Sequence, residues 1–291
     1  MHSKAKVSPL PTNIPAAQLA HSFCGFFTEK IKQIRQNLDN TPSPHVPTVV
    51  PDKAIPLVQF SPVLEKEVHN ILKKTAHKTC ELDPLPTSLL YENIDLLLPA
   101  LTNIINRSLL SGEVPSEFKT AVVKLLLKKA SLDPKQMKNY RPVSNLPFLL
   151  KILEKVVLMQ LTNHLTSNQL THQFQSAYRA GHSTETVLLR VVNDILTASD
   201  ANQVYILTLL DLSAAFDTID HSILLCRLEQ HFRVSGLALS WFKSYVSNRF
   251  QFVSASSSNF KLSKLDYGVP QGSVLGPILF VLYTLHLFRR S

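Results

Sequence analysis

With apolar residues at 45% and charged residues at 18% of 291 positions, the chain holds enough hydrophobic material for a real core, which argues against wholesale disorder. A formal charge of +9 points to an anionic partner and away from an acidic scaffold. Three cysteines, Cys24, Cys80 and Cys226, lie far apart without a CxxC pair, which excludes a disulfide framework or a zinc knuckle and fits a reducing, intracellular setting.

Nine of the 18 prolines fall at or before Pro62, so residues 1–60 read as a Pro-rich segment, largely linker, carrying one helix. That helix is predicted over 16–38, where Leu19, Phe23, Phe27, Ile31, Ile34 and Leu38 recur at helical spacing, and it reads as docked on its tether. A compact region begins at Ser61, where a helix is expected with Ser61 as cap, Pro62 at the first position and acids in the first turn. Further helices are predicted over 87–98 and 100–111, a buried strand over 118–128, and an amphipathic helix over 148–165. Another helix opens near Ser183 or Thr184 and runs to about Ala198. The apolar run Val204–Leu210 reads as a strand, followed by helices over 217–232 and 236–247 and paired strands near 250–254 and 260–267. This mixture indicates an α/β or α+β domain.

The positive charge is local. Between Lys119 and Lys155 nine basic residues face Asp133 and Glu154 alone, a patch suited to polyanions. The apolar tail 274–288 is interrupted by Pro277 and His286 and is shorter than the ~20 residues of a spanning helix, so no membrane partner is expected. The N-terminus lacks the apolar core of a secretory signal, so the protein is not expected to be secreted.

Two motifs carry chemistry. LDLSAAFDTIDH (210–221) places Asp211 at the end of the predicted strand, and YGVPQGSVLGP (267–277) follows about fifty residues on. Asp217, Asp220 and His221 read as positioning or capping groups. With LDPLPTSLL (82–90), LLLKKASLDPKQMKNYRPVSNL (125–146), KILEKVV (151–157) and FQSAYRAGHSTETVLL (174–189), in the same order, these stretches resemble the reverse transcriptase domain of non-LTR (LINE-type) retrotransposons over roughly residues 61–287.

The resemblance implies an RNA-directed DNA polymerase, a nucleotidyltransferase with a right-hand architecture: fingers with the basic patch over 61–200, and a partial palm with a mixed or antiparallel sheet over 201–291. It implies magnesium or manganese held by Asp211, the catalytic carboxylate, and by the main-chain carbonyl of Leu212. Phe216 would exclude a ribose 2′-hydroxyl, Gln271 and Gly272 would contact the incoming nucleotide, and Arg141, Lys128 and Lys129 would meet its phosphates. Phe174, Tyr178, Arg179 and His182 would lie along the template. The implied partners are an RNA template with a DNA primer, or an RNA/DNA hybrid, and deoxynucleoside triphosphates.

Departures from the pattern are equally plain. No Asp-Asp pair occurs in the sequence, so the Tyr-x-Asp-Asp hairpin is missing; Ala177-Tyr-Arg-Ala-Gly181 stands where a further basic residue is usual, and a proline common between Lys124 and Leu126 is absent. Neither a thumb nor an endonuclease region before residue 61 is expected. The expectation is a fragment with impaired catalysis and exposed apolar surface, or alternatively a non-catalytic RNA- or DNA-binding remnant.

Overall fold

The computed structural model describes Leu10 and residues 15–39, 54–254 and 262–285. Thirteen elements follow in chain order: α1 (Ala16–Asp39), α2 (Glu65–Lys73), α3 (Thr87–Glu92), α4 (Ile94–Ser111), β1 (Thr120–Leu127), β2 (Tyr140–Asn145), α5 (Phe148–Ser167), α6 (Thr184–Asp200), α7 (His221–Phe232), α8 (Gly236–Val246), β3 (Arg249–Val253), β4 (Ser263–Leu265) and α9 (Gly276–Thr284). The mixed α/β class expected from the sequence is the class observed.

The sheet runs β2-β1-β3-β4. β1 pairs antiparallel with β2 and parallel with β3, so the parallel pair joins distant parts of the chain. A principal core of α2, α4, α5, α7, α8 and α9 buries Trp241, Phe242, Tyr245, Leu161 and Leu228 almost completely. A second, smaller core forms where α1 lies on the sheet: Leu19, Phe23 and Phe27 meet Val123, Leu125 and Val253, and Phe23 sits edge-on to Tyr140 with ring centroids 5.0 Å apart.

Several local expectations change. The helix expected from Ser61 begins at Glu65 instead, because Ser61 is held extended against α5: its N–H donates to Gln160 Oε1 at 2.8 Å and its carbonyl accepts from Gln160 Nε2 at 2.8 Å. Glu67 accepts from the Leu64 N–H and closes the new start. The break expected near Pro99 falls at Asn93, and α4 continues through the proline. Burial of Leu101, Ile105 and Leu109, spaced four apart, outweighs the one helical hydrogen bond that Pro99 cannot make. Ser183 does cap α6, accepting from the Thr186 N–H.

The largest difference is at 204–210, which forms no strand. Val204, Ile206 and Leu210 are 95%, 89% and 85% exposed. A β-strand is made by its neighbour: the apolar run is present, but no strand among the described residues pairs with this segment. α6 also buries none of its residues. Asp211 is therefore carried on an exposed segment without regular secondary structure and not at the rim of a sheet.

Candidate nucleotide site

Three of the motif segments are stitched together by main-chain hydrogen bonds. The Gly268 N–H donates to the Ile219 carbonyl at 2.8 Å, and the Val269 N–H donates to Phe216 at 2.9 Å. The Ser144 N–H in β2 donates to the Gln271 carbonyl at 2.8 Å. His221 Nε2 adds a bond to the Gly268 carbonyl at 2.7 Å; since a carbonyl only accepts, the proton sits on Nε2. Burial, the larger influence, lowers the His221 pKa despite that bond, so the ring stays neutral near pH 7.

Gly268 is where contact is closest. Its φ is +83°, and a Cβ there would lie 2.8 Å from the Asp217 Cα and from the Phe216 and Asp217 carbonyl oxygens. Asp220 caps α7 by accepting from the Ser222 and Ile223 N–H groups. It also pairs with Arg35 of α1 at 2.8 Å. Burial alone would raise its pKa, but the hydrogen bonds from Ser222 and Ile223, with Arg35, hold it below the usual value.

The stitched segments enclose a cavity of about 270 Å³. Lys128, Arg141, Leu212, Phe216 and Gln271 line it, so five residues singled out from the sequence converge on one space. Lys129, Asp211 and Gly272 do not line it. Gly272 instead backs Gln271 against β2. Phe174, Tyr178, Arg179 and His182 lie apart on the exposed loop before α6, where the Arg190 guanidinium stacks 4.4 Å from the Phe174 ring centre. The basic patch also divides: Lys124 pairs with Glu81 at 3.0 Å, Lys155 bonds Thr75 and Lys119 bonds Ser244, leaving Lys128 and Arg141 at the cavity.

Two groups take a larger part in the site than the sequence reading gave them, which had Asp217 as a positioning or capping group. One is Asp217, a cavity-lining carboxyl whose pKa burial pushes up to about 6, with Lys30 pulling the other way. The other is Glu154, in the KILEKVV stretch. It is fully buried, accepts from the Val274 N–H at 2.8 Å and from the Tyr245 hydroxyl, and so fastens the end of the GVPQGS loop to α5. Its signal was available: an acid on the face otherwise occupied by Leu150, Val157 and Leu161.

Asp217 gives a pH test. Between about 4 and 6 the folded chain holds a proton that the unfolded chain has released, so stability falls as pH rises through that window. Asp217→Asn removes the penalty and is expected to exceed the parent in stability at pH 8 by on the order of 2 kcal/mol, with the difference vanishing near pH 4. Thermal melts across pH 4–8 measure this; parallel curves would refute the assignment.

The carboxylates present do not fit a divalent-metal clamp. Among the described residues no group of three or more His, Cys, Asp or Glu side chains could hold a metal ion. Asp211 stands alone on its exposed segment, and Leu212 alone reaches the cavity. Nor is any helix among the described residues long and apolar enough to cross a membrane; α9 has nine residues.

The mixed sheet and its flanking helices thus bring Lys128, Arg141, Phe216 and Gln271 around one cavity. The family model for reverse transcriptase (RNA-dependent DNA polymerase) matches residues 127–291, and the chain belongs to that family. Among its relatives, a probable RNA-directed DNA polymerase from transposon X-element of Drosophila melanogaster is 28% identical over 92% of this chain and 28% of its own length. The RNA-directed DNA polymerases from mobile element jockey are 31% identical in Drosophila melanogaster and 32% in Drosophila funebris, each over 77% of this chain and 24% of theirs. The domain is thus of the non-LTR, LINE-type retrotransposon kind, and the chain spans about a quarter of the length of these curated relatives.

Proposed function

We propose that this stretch is the nucleotide- and template-facing part of an RNA-directed DNA polymerase: the fingers and the part of the palm that selects the incoming deoxynucleoside triphosphate. The supporting observation is the hydrogen-bonded union of the 140–145, 214–221 and 267–273 segments around the cavity that Lys128, Arg141, Phe216 and Gln271 line. Arg141 and Lys128 would meet phosphate oxygens, for which a planar guanidinium is well shaped. Gln271 would contact the nucleotide, and the Phe216 ring, tilted against Phe280 with centroids 5.3 Å apart, would bear on the sugar. Exposed Phe174 and Tyr178, with Arg179 and His182 on the same loop, would offer stacking and phosphate contacts to a template strand.

Magnesium- or manganese-dependent transfer, which the family resemblance implies, finds one exposed carboxylate, Asp211, and no Asp-Asp pair in these 291 residues. The polypeptide by itself is therefore expected to bind nucleotide and nucleic acid without sustained synthesis. Two measurements on the 291-residue protein test this. RNA template–DNA primer should bind with an affinity that falls steeply between 50 and 200 mM salt, by about tenfold or more if several phosphates are neutralised. Primer extension with magnesium or manganese should stay at background. Salt-insensitive binding would defeat the reading of the nucleic-acid face, and robust extension would defeat the reading of impaired chemistry.

A further inference from the structure

We infer that Lys30 of α1 is a third phosphate-binding cation of the nucleotide cavity, supplied from outside the segment that the polymerase family model matches. The inference rests on reading that cavity as the nucleotide pocket. Lys30 lines it together with Lys128, Arg141 and Gln271, whereas the family match begins only at residue 127.

The position of Lys30 is fixed from both sides along the helix. One turn before it, Phe27 is buried in the small core against the sheet. Five residues after it, Arg35 is clamped twice, by the ion pair to Asp220 and by stacking 4.7 Å over the Tyr267 ring. Asp220 and Tyr267 belong to the two segments that build the cavity wall. The helix cannot rotate or slide without breaking one of these anchors, so positions three and four after Phe27, Lys30 and Ile31, both face the cavity.

The charge balance then identifies the ligand class. Lys30, Lys128 and Arg141 bring three cations to a space whose lining holds one carboxylate, Asp217. Among the described residues neither Lys30 nor Arg141 has an ion-pair partner. Three cations facing one carboxylate, with the Lys128 ammonium held by the neutral Lys138 carbonyl at 2.7 Å, leave an excess of positive charge that favours a compact polyanion. A triphosphate meets that description better than a monophosphate, and three cations set around one cavity can divide its oxygens among them. Lys30 is thus a binding and positioning residue; a role confined to neutralising Asp217 is the competing account.

Equilibrium binding of a fluorescently labelled deoxynucleoside triphosphate to the full chain, with the matching monophosphate as comparison, separates these accounts. Lys30→Gln should weaken triphosphate binding about five- to tenfold and monophosphate binding less than about twofold, and Lys30→Arg should recover most of the loss. Unchanged triphosphate affinity in Lys30→Gln, while Arg141→Gln weakens it, would overturn the role of Lys30 and leave the pocket standing. A loss that disappears in an Asp217→Asn background would also overturn it, since Lys30 would then act only through that carboxylate. A wild-type chain that fails to bind the triphosphate would overturn the pocket reading and this inference together.

Discussion

Glu154→Ala is expected to destabilise the protein by about 3–5 kcal/mol, roughly a 10 °C fall in melting temperature. The carboxylate lies wholly inside the principal core, between α5, α8 and the start of α9. Burial, the largest influence, raises its pKa, opposed by the bonds from Tyr245 and Val274 and by the nearby Arg249 charge. Removing it strands three groups at once. The Tyr245 hydroxyl and the Val274 N–H lose their acceptor. Arg249, 1% exposed, loses its compensating charge while its Nε and Nη2 already lack hydrogen-bond partners among the described residues. Glu154→Gln keeps the shape and one carbonyl acceptor for Val274, so it should lose distinctly less. Denaturant melts of the three proteins decide the matter; equal losses for Ala and Gln would mean that shape and not polarity holds the loop.

Gly272→Ala is the second change with a large expected effect, and it should strike binding more than the fold. The residue has φ of +123°, and a Cβ would stand 2.6 Å from the Ser144 carbonyl oxygen of β2. Neither partner can yield easily, because both are backbone, and Ser144 is already tied to Gln271. Strain and overlap together cost about 3 kcal/mol or more, relieved most cheaply by lifting the loop from β2. Gln271 would then leave the cavity. The expected result is loss of deoxynucleoside triphosphate binding by at least about tenfold with a cooperative melt retained. Gly25→Ala in α1, where a new methyl meets nothing within 4 Å, is the matched control and should be neutral or slightly stabilising. Wild-type affinity in Gly272→Ala would mean the loop's seat on β2 does not govern the pocket.

What the sequence made legible follows from which interactions are local. The helices α5, α7 and α8 announce themselves through their own apolar residues, α7 also through its Asp220 cap, and they appear within a few residues of expectation. The motif segments were readable because their residue types carry chemistry in themselves: a guanidinium before a proline, a Gln between a Pro and a Gly. The strand at 204–210 was misread because seven mostly apolar residues state a preference that only a neighbouring strand can satisfy. Helix α1 was recognised as a docked helix, yet its entry into the cavity wall depends on Arg35 meeting Asp220 and Tyr267, contacts spanning about 185 residues and more. The same holds for Glu154, whose partners come from helices and loops far along the chain.

The parallel pairing of β1 with β3 has a consequence for how the polypeptide matures. Val123 and Val253, partners in the sheet, are about 130 residues apart, so a chain leaving the ribosome can form the β1–β2 hairpin long before β3 emerges. Helix α1, made before either strand, needs Val253 as well as Val123 beneath its aromatic face. Until then Phe23 and Phe27 have only half their seat. This helix therefore docks long after it is made, and a chaperone-free translation reaction should yield less folded protein than one in which that wait is shielded.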